Sequence, residues 1–260
     1  LIPGGFPMRT PIIAANWKMN KTAAEASSFT REFLAQDIPS GVEAVICPPF
    51  TALEAVMAQL RPAGRANVFL GAQDMHWEPK GAFTGEISPS MIGAAGCSFV
   101  IVAHSERRRL FGETDETANK KAAAALAAGL TPIFCVGETA EERDRGLTAR
   151  VLEGQVRNGL AGLAAEAVSR MVVAYEPVWA IGSGRAASPA DARDAAALIR
   201  GVVAGMYGDA ASLGLRVQYG GSVDPANIGG FMAEDGVDGA LVGGAGLDPV
   251  KFARIVALGR

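Results

Sequence analysis

The sequence predicts an α/β protein, a single-domain closed (β/α)8 barrel. Short β-branched or apolar segments recur eight times, and helical stretches separate them. The 260 residues match the ~250 typical of such a barrel, and no Pro-, Ser- or charge-rich linker divides them. The strand segments are Ile12–Asn16, Ala44–Cys47, Val68–Gln73, Phe99–His104, Pro132–Gly137, Met171–Glu176, Arg216–Gly220 and Gly239–Gly243. Each is mostly apolar on both faces, as strands of a buried parallel sheet are. An open doubly wound sheet is the architectural alternative, and would line polar strand ends along one crevice.

Each intervening stretch has a reason to be helical. Ala23–Gln36 is alanine-rich, with Phe29, Phe33 and Leu34 on one face. Asp115–Ala128 opens on Asp-Glu, and Ala149–Ala165 and Asp191–Met206 carry the same amphipathic pattern. The last two begin at Asp224-Pro225 and Asp248-Pro249, where Asp caps the helix and Pro takes its first position. Residues 1–7, Leu-Ile-Pro-Gly-Gly-Phe-Pro, match no element. They are set aside as an N-terminal extension, native or left over from expression, so the barrel domain is expected over 8–260.

Composition excludes several functions. A net charge of −3 and a pI near 5.5 argue against nucleic acid or an acidic membrane as partner. No apolar run reaches 18 residues, the length of a membrane span. Three scattered cysteines, Cys47, Cys97 and Cys135, suit buried thiols in a reducing compartment, here the cytoplasm. Two histidines are too few for a histidine metal cluster, and no cofactor motif occurs, so neither metal nor cofactor is expected.

Chemistry collects at the strand ends, which share one face of such a barrel. The first strand ends in Asn16, with Lys18 beyond; the third ends in Gln73, the fourth in His104 and the sixth in Glu176. Glu176 opens the run Glu176-Pro177-Val178-Trp179-Ala180-Ile181-Gly182-Ser183-Gly184-Arg185. It reads as a base joined to a closing lid, stiffened by Pro177 and freed at Gly182 and Gly184. Its apolar neighbours predict a desolvated carboxylate with a raised pKa. His104 precedes Ser105, a candidate helix cap, so the helix dipole is expected to lower its pKa and keep the imidazole neutral. Lys18 supplies a cation beside Asn16. Gly220-Gly221-Ser222 and Gly243-Gly244 follow the last two strands, where backbone N–H groups can cradle an anion. A base, a neutral electrophile, a cation and a phosphate cradle together suit proton abstraction next to the carbonyl of a small phosphorylated substrate.

At these residues the chain resembles the triosephosphate isomerase family, over about residues 8–258. The blocks that carry the resemblance are Asn16-Trp17-Lys18-Met19-Asn20, Gly71-Ala72-Gln73-Asp74, Gly81-Ala82-Phe83-Thr84-Gly85-Glu86-Ile87-Ser88, Ala103-His104-Ser105-Glu106-Arg107-Arg108, Tyr175-Glu176-Pro177-Val178-Trp179-Ala180-Ile181-Gly182, Tyr219-Gly220-Gly221-Ser222-Val223 and Leu241-Val242-Gly243-Gly244-Ala245. The resemblance implies the TIM-barrel fold and interconversion of dihydroxyacetone phosphate and D-glyceraldehyde 3-phosphate in glycolysis and gluconeogenesis. By the same carry-over, Glu176 shuttles the proton and His104 polarises the carbonyl oxygens. Asn16 and Lys18 stabilise the enediolate, and Glu106 supports these electrophiles. Gly182, Ser222, Gly243 and Gly244 hold the phosphate.

The family's long loop, residues 74–86 here, inserts into a neighbouring subunit. The resemblance therefore implies a homodimer, with Thr84 reaching the partner's site. The chain departs from the family pattern at Ser183, Arg185 and Gly246, where Thr, Lys and Ser are common. Two rival readings of the same residues are an aldolase using Lys18 as a Schiff base and a non-catalytic phosphate-binding scaffold.

Overall fold

The alternation of strand and helix closes into a ring. The computed structural model describes residues 9–181 and 187–259. The strands are β1 (Ile12–Asn16), β2 (Glu43–Cys47), β3 (Val68–Ala72), β4 (Phe99–Val102), β5 (Thr131–Val136), β6 (Val172–Tyr175), β7 (Arg216–Tyr219) and β8 (Gly239–Val242). They pair in parallel and in chain order, and β1 returns to β8 in the register Ile12↔Gly239. Sequence and structure thus agree on a closed barrel.

The two-faced apolarity of the strands has a geometric cause, since successive side chains point to opposite faces. Ile12 and Ala14 of β1 pack inside the ring with Val45, Phe99, Ile101, Ile133, Val172 and Leu241. Ile13 and Ala15, one residue out of phase, join the larger layer between strands and helices, where Phe33 meets Phe252. Ring closure demands a residue without a side chain at Gly239: a Cβ there would lie 1.8 Å from the Ile12 carbonyl oxygen. At the N-terminal mouth, Arg9 and Arg200 both pair with Asp238, and Arg216 pairs with Glu43.

The helices among the described residues are α1 (Ala23–Leu34), α2 (Leu53–Ala63), α3 (Pro89–Ala94), α4 (Ser105–Phe111), α5 (Asp115–Ala127), α6 (Ala140–Asp144), α7 (Thr148–Leu160), α8 (Ala165–Val168), α9 (Pro189–Tyr207), α10 (Asp209–Gly214), α11 (Ile228–Met232) and α12 (Pro249–Leu258). The eight-helix expectation missed the short additional helices, too brief to show a full apolar period. Asp248 caps α12 as expected. Asp224 does not cap a helix directly: its carboxylate accepts the N–H groups of Ala226 and Asn227 in a turn, and α11 starts at Ile228. α9 starts before Asp191, because Ser188 is the cap and Asp191 completes the capping box. The expected extension at residues 1–7 lies outside the described residues. No helix among those described is long and apolar enough to cross a membrane.

Candidate active site

The strand ends that the sequence marks do converge. Asn16, Lys18, His104, Glu176, Ser222, Gly243 and Gly244 line one cavity of about 370 Å³ at the C-terminal mouth of the barrel. Ile181, Gly220, Gly221, Asp224 and Leu241 also line it.

Two positions that set the site are built on strained backbone. Lys18 and Ala103 adopt left-handed conformations with φ of +53° and +62°. Such residues persist only where their surroundings over-determine them. The Lys18 N–H donates to Asn16 Oδ1 at 3.0 Å, and its carbonyl accepts from Gln73 Nε2 at 2.9 Å. The Ala103 N–H donates to Glu113 Oε1 at 2.8 Å, and its carbonyl accepts from Arg108 Nε at 3.0 Å. The first kink turns Lys18 toward the cavity, where its Nζ meets Glu106 Oε1 at 2.7 Å. The second places His104 at the start of α4. Gln73, at the end of β3, thus braces Lys18 and does not line the cavity.

His104 itself, not Ser105, is the N-cap of α4, with Nδ1 accepting the Glu106 N–H at 3.2 Å. That bond leaves the proton on Nε2, which lies 2.9 Å from Glu176 Oε1. Ser105 is freed to hold the carboxylate: its N–H donates to Glu176 Oε2 at 2.9 Å and its hydroxyl to Oε1 at 3.1 Å.

This contact reverses both pKa expectations. Burial pushes the Glu176 carboxyl up, but His104 and the Ser105 donors outweigh it, and the net direction is down. Burial likewise disfavours charge on His104, but the Glu176 and Glu106 carboxylates outweigh it, and the net direction is up. Sequence pattern showed the apolar neighbours and the helix start, not the two side chains meeting.

The loops after β7 and β8, which line the same cavity, offer backbone donors. The N–H groups of Ser222 and Gly243 are taken by no backbone carbonyl among the described residues. Gly243 caps a single turn, Gly244–Leu247, and Asn227 Nδ2 holds the Ser222 carbonyl at 3.1 Å. A concavity of such N–H groups suits an anion. Gly182, the remaining expected phosphate contact, lies outside the described residues. Thr84 lies elsewhere, on the exposed tip of the β3–α3 loop, and does not line this cavity.

Sequence reasoning missed the polar cluster beneath the chain that follows the base. Glu138 is fully buried, and its Oε1 accepts from Trp179 Nε1 at 2.8 Å and Tyr175 Oη at 3.1 Å. Its one available signal was a polar residue close behind β5.

Known proteins match this arrangement along the chain. The family model described as triosephosphate isomerase matches residues 11–258. A protein of Symbiobacterium thermophilum named triosephosphate isomerase is 55% identical over 251 residues, 96% of this chain and 97% of its own length. Proteins of the same name from Dictyoglomus thermophilum and Carboxydothermus hydrogenoformans are 52% and 51% identical, over 96% of this chain and 99% and 98% of their own. With its closed eight-stranded barrel and its site at the strand C-termini, the chain belongs to the triosephosphate isomerase family.

Proposed function

We propose that this site carries out the isomerisation for which its family is named, interconverting dihydroxyacetone phosphate and D-glyceraldehyde 3-phosphate in glycolysis and gluconeogenesis. The observation that carries the reading is that Glu176 and His104, in contact at 2.9 Å, share one cavity with the Ser222 and Gly243–Gly244 loops. A phosphate held by those loops lays a three-carbon chain toward the two side chains.

The chemistry follows from what each group can give. Glu176 takes the proton from the carbon beside the carbonyl and returns it to the neighbouring carbon. To reach the substrate, its carboxylate exchanges the Ser105 donors for the space above His104. The His104 Nε2 proton and the Lys18 ammonium stabilise the oxygen that gains charge, an electrostatic contribution worth most in a site closed to water. Asn16 acts beside Lys18, and Glu106 orients the ammonium. All these groups belong to the chain, and no step calls for a cofactor or metal. Purified protein assayed with a coupling dehydrogenase should convert dihydroxyacetone phosphate in the presence of a chelator. Absence of turnover would overturn the reading.

The chain is also inferred to act as a homodimer through its 74–86 loop, in the cytoplasm. The loop root is buried at Asp74, Met75 and His76, whereas its tip carries Phe83 at 43% exposure. Phe111, 67% exposed, lines a cleft shared with Phe83 and Thr84. Apolar surface of this kind favours a partner, here a second copy of the chain. All three cysteines are free and buried, which fits a reducing compartment.

A further inference from the structure

One arginine touches the chain on both sides of the stretch that follows the base. After Glu176 the backbone makes a turn at Val178–Ala180, and on its far side Ser188 caps α9. Arg143 stands on α6 between them. Its guanidinium carbon lies 4.1 Å from the Trp179 ring centroid, and its Nη2 lies 2.6 Å from Asp191 Oδ1. Its Nη1 is 3.4 Å from Glu138 Oε1, the oxygen that also accepts from Trp179 and Tyr175. The second Asp191 oxygen accepts the Ser188 N–H at 2.8 Å and its hydroxyl at 2.7 Å.

The contacts form one continuous path from Ser188 through Asp191 and Arg143 to Trp179, Glu138 and Tyr175. Tyr175 is the residue immediately before the base. A planar guanidinium is suited to this place, because it stacks on an indole face while its edge serves two carboxylates. An ammonium cannot do both.

We propose that Arg143, paired with Asp191, is a positioning residue for Glu176, fixing the backbone on both sides of it so that the carboxylate meets the reacting carbons in one geometry. This rests on the isomerase reading of the site. Arg143 touches no substrate atom; it acts through Trp179 and Glu138.

The test compares the parent with Arg143→Met, Arg143→Lys, Asp191→Asn and the double variant Arg143→Met/Asp191→Asn. The measurements are kcat, KM, melting temperature and the fraction of turnover diverted to methylglyoxal. In that diversion the enediolate phosphate breaks its carbon–oxygen bond, the electron pair leaves with inorganic phosphate, and the remaining enol tautomerises to methylglyoxal, gaining a proton at carbon and losing one from its hydroxyl. Isomerisation and diversion share one intermediate, so their ratio reports how the site is held and not how much protein is folded. Arg143→Met is expected to lower kcat about 10-fold, as a fraction of an ångström of misplacement does, with a smaller change in KM. The methylglyoxal fraction should rise several-fold. Asp191→Asn should shift both in the same direction by less, because Asn still accepts from Ser188. Arg143→Lys should recover part of kcat. The double variant should be no worse than Arg143→Met, as expected of groups acting as a unit. A lower melting temperature with an unchanged product ratio would reduce Arg143 to a structural role and overturn the proposal, as would additive effects. If Arg143→Met fails to fold, the ratio for Asp191→Asn decides. A parent without turnover would sink the isomerase reading instead.

Discussion

Glu176 and Ser105 are joined by two hydrogen bonds, one from the Ser105 N–H at 2.9 Å and one from its hydroxyl at 3.1 Å. The Glu176 carboxylate therefore rests on the first turn of α4, where the helix end favours negative charge. In the proposed reaction it reaches substrate by giving those donors up. This arrangement stabilises the ionised carboxylate at the edge of the cavity.

That geometry makes catalysis sensitive to side-chain length. Glu176→Asp should keep the fold and lower kcat on the order of 10²-fold, the scale of a misplacement near 1 Å. Steady-state kinetics with the parent as reference checks this. Equal kcat in the two proteins would remove Glu176 from the role of base.

The coupled pair makes a pH prediction. The folded pKa of His104 is raised, so its contribution to stability is complete below about 6.5 and is lost as pH rises through the folded value. The folded pKa of Glu176 is lowered, so its contribution is present above about 4.3 and is lost as pH falls through the folded value. The pair's joint contribution should therefore be greatest between those two limits. In Glu176→Gln, burial acts on His104 with less opposition, and its pKa should fall. The chain has 2 histidines, which keeps NMR assignment simple. An unchanged His104 titration would show that Glu176 is not what raises it.

Binding at the phosphate loops should appear in kcat as well as in KM. Contacts to a remote, unreacting group are used to hold the reacting carbons in the transition-state geometry. Glyceraldehyde, lacking the phosphate, should turn over very poorly, and added phosphite should restore part of the rate. Phosphite without effect would refute this use of the Ser222, Gly243 and Gly244 cradle.

Assembly is tested through the 74–86 loop. Sedimentation of the wild type at micromolar concentration should give a dimer. Shortening the loop across Trp77–Phe83 should give a folded monomer with strongly reduced kcat, because a site without rigid support loses its geometry. A fully active wild-type monomer would overturn the dimer.

Closure of the barrel depends on Gly239. A Cβ there would meet backbone, the Ile12 carbonyl oxygen at 1.8 Å, with no flexible side chain to yield. Gly239→Ala should destabilise the fold by about 3 kcal/mol, the upper range for overpacking a core. Urea unfolding measures it, and an unchanged midpoint would refute the closure argument.

The sequence by itself determined the barrel and the members of its site. Eight two-faced apolar strands separated by amphipathic helices admit few architectures, and parallel closure brings every strand end to one mouth. Asn16, Lys18, His104, Glu176, Ser222, Gly243 and Gly244 were therefore legible as neighbours although they span most of the chain. The helix starts at Asp224 and Asp191 were less legible, because Asp serves a turn, a cap or the third position of a capping box equally well. Only the tertiary structure decided how the members engage. Ser105 was legible as a cap, but His104 took that place and Ser105 holds the base. The directions of the Glu176 and His104 pKa shifts were inverted for the same reason. Burial can be inferred from neighbours in the chain, whereas an opposing charge at 2.9 Å comes from a residue 72 positions away. Electrostatic energy depends on that distance in space, which one strand's sequence does not contain.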